Sequence, residues 1–325
     1  MNVERIILNS PPVKLLTEKS KKIVLPRFEG VPLYDVLTFF RDQVKRVGLT
    51  ERASAVSYNF IMSIPPTCLF LFTLIPNLPF VRTRAVQWQI RGIIRDIIPA
   101  SEYNKGIISF VDSFFSNNNI GLLSFGFVLL IFFASNGMMG LMRSFNKNYI
   151  GFEKRTGLHS RWVAIKLTFI IMGLVLACLL LLIMQGAVLK WMGIKSDFVR
   201  TSIRVIRWVF IVMLIFYAIG FIYKYAPAIQ KRWSLISPGS ILATSLSILT
   251  TLGFSIFVEN FGSYNALYGS IGTIIVLMII IYINSLVLLI GYELNVSIHS
   301  LKAMALEREK AVHNTTDDLI FHDRV

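Results

Sequence analysis

Apolar residues gather into long, almost uninterrupted runs along this chain. Six segments, approximately 53–75, 120–142, 162–188, 205–223, 239–258 and 270–293, stay mainly apolar over the roughly 20 residues a helix needs to cross a bilayer. Two further stretches show helical periodicity instead. In VPLYDVLTFFRDQVKRVGL, the residues Leu33, Val36, Leu37, Phe40, Val44 and Val47 share one side, with Arg41, Lys45 and Arg46 elsewhere. This pattern predicts a helix lying in the membrane interface ahead of the first span. In TRAVQWQIRGIIRDIIP, Val86, Ile90, Ile93, Ile94 and Ile97 form a stripe that Pro99 ends, predicting a second amphipathic segment on the outer face or capping the bundle.

The predicted fold class is therefore all-α: a polytopic membrane protein with six transmembrane helices plus interfacial amphipathic helices. Residues 1–32, with Pro11, Pro12 and Pro26, read as a loosely ordered cytosolic tail. Residues 33–298 form the membrane domain and residues 299–325 a second cytosolic tail.

Composition reinforces this class. Hydrophobic residues make up 54% of the chain and mean hydropathy is +0.63, too apolar for a soluble domain of this length. Both cysteines, Cys68 and Cys178, fall inside spans, which argues against a disulfide framework or a metal cluster. The first 22 residues carry no long apolar run, so no cleaved signal peptide is expected.

The net charge of +15 matters through its distribution. Lys and Arg concentrate between Arg5 and Arg52, in the 143–161 and 224–232 loops, and in the C-terminal tail, whereas loop 259–268 has none. That asymmetry puts both termini in the cytoplasm. The long loop 76–119 runs against it with Arg82, Arg84, Arg91, Arg95 and Lys105, but long loops weigh less. The expected partners of the excess charge are anionic lipid headgroups at the cytoplasmic face, not nucleic acid.

Four features inside the spans draw attention. Pro65 and Pro66 sit near the middle of the first span, where two missing N–H donors predict a break or kink. Packing explains such a break, and so does a substrate path beside it. In the fifth span, Ser237 caps and Pro238 opens the helix. Ser240, Thr244, Ser247, Thr251 and Ser255 then recur on one face, suited to close interhelical packing or to a hydrated groove. The sixth span ends on Glu293, with Arg52, Arg143, Arg161 and Lys166 expected at the same depth. A buried carboxylate there needs a cation, with Arg52 or Arg143 favoured, either as a structural clamp or as a protonatable gate. Finally, Trp162, Trp191, Trp208, Tyr223, Tyr225 and Trp233 near span ends fit aromatic belts.

Four motifs together carry a family resemblance. The first is RASAVSYNFIMSIPP, with Arg52, Ala53, Ala55, Tyr58, Ser63 and Pro65. The second is SFNKNY, with Asn146 and Tyr149, and the third YKYAPAIQKRWSLISPG. The fourth, and strongest, is the last span, which opens on Tyr268, Gly269 and Gly272 and closes on GYELN with Asn295. The set resembles the YihY/virulence factor BrkB family of bacterial inner-membrane proteins over about residues 35–298, with Tyr292 where the family usually has a small residue. The resemblance implies six spanning helices and a multi-pass location in the bacterial cell membrane. It implies little chemistry, although some members have carried a ribonuclease label.

Three function classes compete for these residues. A transport-type protein for a lipid, amphiphile or ion accounts for the interrupted first span and the hydroxyl face. The absence of a mid-span carboxylate argues against a cation or proton antiporter. A non-transporting scaffold or envelope-assembly factor would equally use basic tails and interfacial helices. An enzyme finds no support. His159, His299, His313 and His322 lack metal-ligand spacing to carboxylates, no Gly-rich phosphate loop or catalytic triad can be drawn, and no cofactor motif is present.

Overall fold

The computed structural model describes residues 18–46, 48–77, 120–146, 156–191, 197–229, 232–260 and 270–322, and scattered positions between 87 and 113. Among these residues are seven long helices and no β-strand. They are α1 (Leu33–Arg46), α2 (Leu49–Asn77), α3 (Ile120–Phe145), α4 (Gly157–Trp191), α5 (Asp197–Tyr225), α6 (Pro238–Asn260) and α7 (Ser270–His322).

Local chemistry sets several of the ends. Gly48, at a φ of +61° that a side chain would strain, turns the chain from α1 into α2. Ser237 caps α6, its Oγ accepting from the Ser240 N–H at 3.1 Å, and Pro238 follows at the first helical position.

Five helices (α3 to α7) are long and apolar enough, among the described residues, to cross a membrane, against the six counted in the sequence. The difference is α2. It has 29 residues, beyond the roughly 20 required, but several of its side chains from position 72 onward lie outside the described residues.

Each helix from α2 to α7 packs on the next in chain order, and α7 returns to pack on α2, so six helices close a ring. Helix α1 lies against α7. The main core draws on Ala53 and Val56 near the start of α2 and Met142 and Phe145 at the end of α3. It continues with Leu167 early in α4, Tyr223 late in α5 and Ala243 early in α6. Those positions alternate between helix starts and helix ends yet form one cluster, so successive helices run in opposite directions. This main cluster therefore sits at one end of the bundle.

Three expectations are corrected here. Helix α2 is continuous through Pro65 and Pro66, so the predicted break is not a gap in the helix. The Ser63 and Thr67 hydroxyls donate to the carbonyls of Phe60 and Ser63 at 2.7 and 2.6 Å, reinforcing the turns on either side. Neither bond reaches the Ile61 or Met62 carbonyl, the two that the prolines leave without an N–H partner.

Helix α7 continues past Glu293 and has 53 residues in all, about 80 Å of helix. Glu293 is thus mid-helix, and no helix-end dipole acts on it. The tail boundary expected at residue 299 is likewise not a helix end.

Nor are residues 23–32 loose. Phe28 is buried with Val36, Leu294 and Ile298, and Glu29 pairs with Lys302 at 2.9 Å. The expected outer amphipathic segment in loop 76–119 falls largely outside the described residues. Within that loop Arg91 makes a bidentate pair with Asp112, at 3.0 and 2.7 Å.

Candidate functional site

The segment GYELNVSIHS on α7 is buried at every position from Gly291 to Ile298. Each residue has a separate task. A Cβ on Gly291 would lie 2.6 Å from the Gly239 carbonyl oxygen of α6, and one on Gly239 would overlap the Gly291 oxygen. Only hydrogen fits at both positions, and α6 and α7 cross there backbone to backbone. Asn295 uses that proximity: its Oδ1 accepts from the Gly239 N–H at 2.8 Å, and its Nδ2 donates to Ser237 Oγ at 2.9 Å. It caps α6 from another helix. Tyr292 stacks on Phe145 with ring centroids 3.9 Å apart, and its hydroxyl donates to the Phe145 carbonyl at 2.7 Å.

Glu293 is fully buried. Its Oε1 is 2.5 Å from Nη1 of Arg52 on α2, itself 6% exposed. Arg52 Nη2 also donates to the Ser144 carbonyl at the end of α3. One guanidinium therefore joins α2, α3 and α7, while its Nε has no hydrogen-bond partner among the described residues. Two charges withdrawn from water are held by mutual attraction plus hydrogen bonds, so losing either partner costs far more than the intact pair contributes.

The α2–α7 seam that this pair closes opens further along. Between Phe60 and Cys68 on α2 and Leu277 and Leu288 on α7 lies a cavity of about 460 Å³. Its walls are mainly apolar, with Ser63, Thr67, Asn284 and Ser285 as polar positions. Pro65 and Pro66 lie within the α2 stretch that borders it. Asn284 also accepts from Ser247 Oγ of α6.

A second cavity, of about 660 Å³, lies where α5 turns into α6, and Arg27, Lys224, Arg232 and Lys302 line it. On α7 the groove residues Leu277, Ile281, Asn284 and Leu288 and the pocket residues Asn295, His299, Lys302 and Leu306 fall within about 60° on a helical wheel. One face of α7 serves both cavities, and the Gly291–Glu293 knot lies between them.

The other expected site residues separate clearly. Of the two cations considered for Glu293, Arg52 is brought to it; Arg143 and Lys166 are exposed, and Arg161 donates to Asn136 of α3. Ser240 and Thr244 are buried, Ser247 is half-buried, and Thr251 and Ser255 are exposed. This corrects a hydroxyl face expected to point inward along its whole length: α6 leaves the core after about two turns. Tyr58 is 60% exposed. Asn146 Oδ1 accepts from the Ala228 N–H at 3.0 Å, tying the end of α3 to the α5–α6 turn. Gly272 lies in α7, and Tyr268 and Gly269 lie outside the described residues.

Sequence reasoning missed Asn284, although a lone amide inside an otherwise apolar run is a usable signal. It also missed the convergence of Arg27 and Lys302, far apart in the chain, on one pocket.

A family model described as Virulence factor BrkB matches residues 40–315. The chain belongs to the virulence factor BrkB family. Among its relatives, the putative ribonuclease-like protein YfkH of Bacillus subtilis (strain 168) is 31% identical over 277 residues, covering 82% of this chain and 98% of that protein. A UPF0761 membrane protein of Photobacterium profundum is 22% identical over 291 residues, 87% of this chain and 86% of its own. One of Laribacter hongkongensis is 24% identical over 293 residues, 88% of this chain and 67% of its own. No solved structure matches. Two of the motif residues that carried the resemblance, Arg52 and Asn295, are in this BrkB-family membrane protein among those that lock α7 to α2 and α6.

Proposed function

We propose that this BrkB-family protein is a transport-type protein that passes a lipid or amphiphile along the α2–α7 seam. The supporting observation is the cavity of about 460 Å³ between the helices that close the ring. Its apolar walls suit acyl chains, and Ser63, Thr67 and Asn284 suit a polar head. Pro65 and Pro66 leave Ile61 and Met62 without their ladder bonds, making α2 the wall most readily bent. The buried Arg52–Glu293 pair holds the other part of the seam shut. An ion route is less well suited, because no carboxylate lines the cavity among the described residues.

In this reading the protein spans the bacterial inner membrane with both termini cytoplasmic, six spans including α2, and anionic headgroups against its basic face. It has no enzymatic role. The name of the Bacillus subtilis relative raises ribonuclease chemistry. Among the described residues, no three His, Cys, Asp or Glu side chains come together in a group that could hold a metal ion.

A scaffold role is the second reading, favoured by the length of α7, whose last turns extend well past the apolar run as a surface for partners.

Proteoliposomes holding a fluorescent phospholipid, quenched from outside, test the proposal. The expected result is faster loss of protected signal than in empty vesicles. Bridging native Cys68 to a cysteine introduced by Ile281→Cys with a short bifunctional reagent should abolish the gain. Rates equal to empty vesicles, or indifferent to the bridge, would turn the assignment toward the scaffold.

A further inference from the structure

We propose that the basic cavity at the α5–α6 turn is a binding site for a phosphate-bearing anionic headgroup. Four cationic side chains, Arg27, Lys224, Arg232 and Lys302, line it against a single carboxylate among the described residues, Glu29. That carboxylate is already engaged by Lys302 at 2.9 Å, and Arg27 donates to the Ile236 carbonyl. Lys224 and Arg232 are left against the same Tyr225 ring, 5.5 and 5.1 Å from its centroid. Both cations line the same cavity, so an anion entering it is attracted by both.

The nature of the anion follows from place and shape. The pocket residues Asn295 to His299 lie about 8 to 14 Å along α7 beyond Ile290, where the apolar run ends. The near end of the pocket thus meets the outer edge of the headgroup layer, which adds some 5 to 8 Å on each side of the hydrocarbon core, and the rest opens just beyond it. The wall is amphipathic, since Trp233, Ile298 and Leu306 present apolar surface beside the cations, as a headgroup joined to acyl chains requires. The forked guanidinium of Arg232 suits two phosphate oxygens at once. The start of α6 contributes nothing to the anion, because Asn295 and Ser237 already occupy the N–H groups of Gly239 and Ser240. The site rests on these side chains and does not require the seam to transport anything.

The test uses the full-length protein in a non-ionic detergent. Phosphatidylglycerol, phosphatidylcholine and inorganic phosphate are titrated separately, with bound ligand counted by native mass spectrometry. Phosphatidylglycerol should bind at least about ten-fold more tightly than phosphatidylcholine. Arg232→Gln and Lys224→Gln should each weaken it about five-fold, the size of one charge at a headgroup layer. Lys166→Gln, the same charge change on an exposed residue outside the pocket, should stay within about two-fold. Arg232→Lys should fall between wild type and Arg232→Gln.

If inorganic phosphate alone binds and is weakened by the same two variants, the site holds and its source is free phosphate. An unchanged phosphatidylglycerol preference in the Lys224→Gln/Arg232→Gln double variant overturns the site. So does a loss in Lys166→Gln equal to that in Arg232→Gln, which would mean bulk charge alone.

Discussion

The two ends of this bundle are built from the same helices, and among the described residues they are packed differently. At the end that contains Arg52, Phe145, Tyr223 and Glu293, side chains are buried and cross-linked by hydrogen bonds. At the other, α2 and α3 stay in contact, with Phe70 and Leu130 buried, while Leu249, Leu252 and Ile256 of α6 and Leu277 and Met278 of α7 stand exposed. Hydrophobicity does not separate the ends, because a lipid tail is as apolar as leucine and offers helices no reason to associate. Close backbone approach and interhelical polar bonds separate them: Gly239 on Gly291, Asn295 on α6, Tyr292 on α3, and Arg52 on α3 and α7 together. Where these residues occur the helices are locked. Toward the other end α6 and α7 present Leu, Ile and Met side chains outward, where lipid can cover them.

The largest effect is expected from the ion pair. Glu293→Gln leaves the Arg52 charge buried and should cost about 3–5 kcal/mol, read as a fall in the unfolding midpoint in detergent. The Arg52→Met/Glu293→Leu double variant should recover most of that loss, since exchanging both charges for apolar groups is often neutral. A Glu293→Gln protein as stable as wild type, but with altered translocation, would shift the residue from clamp to gate.

Next comes the helix crossing. In Gly239→Ala the new Cβ overlaps the Gly291 carbonyl oxygen, which only backbone movement can relieve. A loss of about 1–3 kcal/mol is expected. Gly253→Ala, where nothing lies within 4 Å, should cost nothing measurable by the same assay. Equal effects at the two glycines would erase the distinction between the ends.

Asn295→Ala removes the cap that α7 supplies to α6 and should cost about 1 kcal/mol. Amide exchange is the direct readout, and faster exchange at Gly239 relative to Ile241 is the signature. Unchanged exchange would mean that Ser237 alone suffices.

Much of this was legible in the sequence, because long apolar runs leave few alternatives to membrane helices and a lone Glu293 beside basic span ends demands a cation. Arg52 was one of two named partners, and choosing between them needed the helix rotations: Arg143 is the neighbour of Ser144, whose carbonyl Arg52 reaches, yet faces outward. The length of α7 was hidden because the segment after Glu293 is polar and helical at once, and polarity alone reads as tail. The proline pair misled because it removes only the bonds to Ile61 and Met62, and the rest of the α2 ladder carries the helix through. The basic pocket could not be read at all, since its cations come from residues 27, 224, 232 and 302 and meet only once the ring is closed.

The smallest predicted effects test the hydroxyl face of α6, where the two ends meet on one helix. Ser247 donates to Asn284 of α7, and interhelical bonds of this kind average about 0.6 kcal/mol in a membrane protein, so Ser247→Ala should cost about that much. Thr244 is buried and its Oγ1 has no partner among the described residues, so Thr244→Val removes a poorly satisfied group and should be neutral or slightly stabilising. Thr251 is exposed on the same stripe, and Thr251→Val should stay within about 0.5 kcal/mol of wild type. A double-mutant cycle with Asn284→Ala sharpens the contrast: it should show coupling with Ser247 and none with Thr251. If Thr251→Val instead destabilises by more than Ser247→Ala, the exposed end of α6 is covered in the membrane by something the monomer does not supply, and the looser end of the bundle would have to be redrawn as an interface.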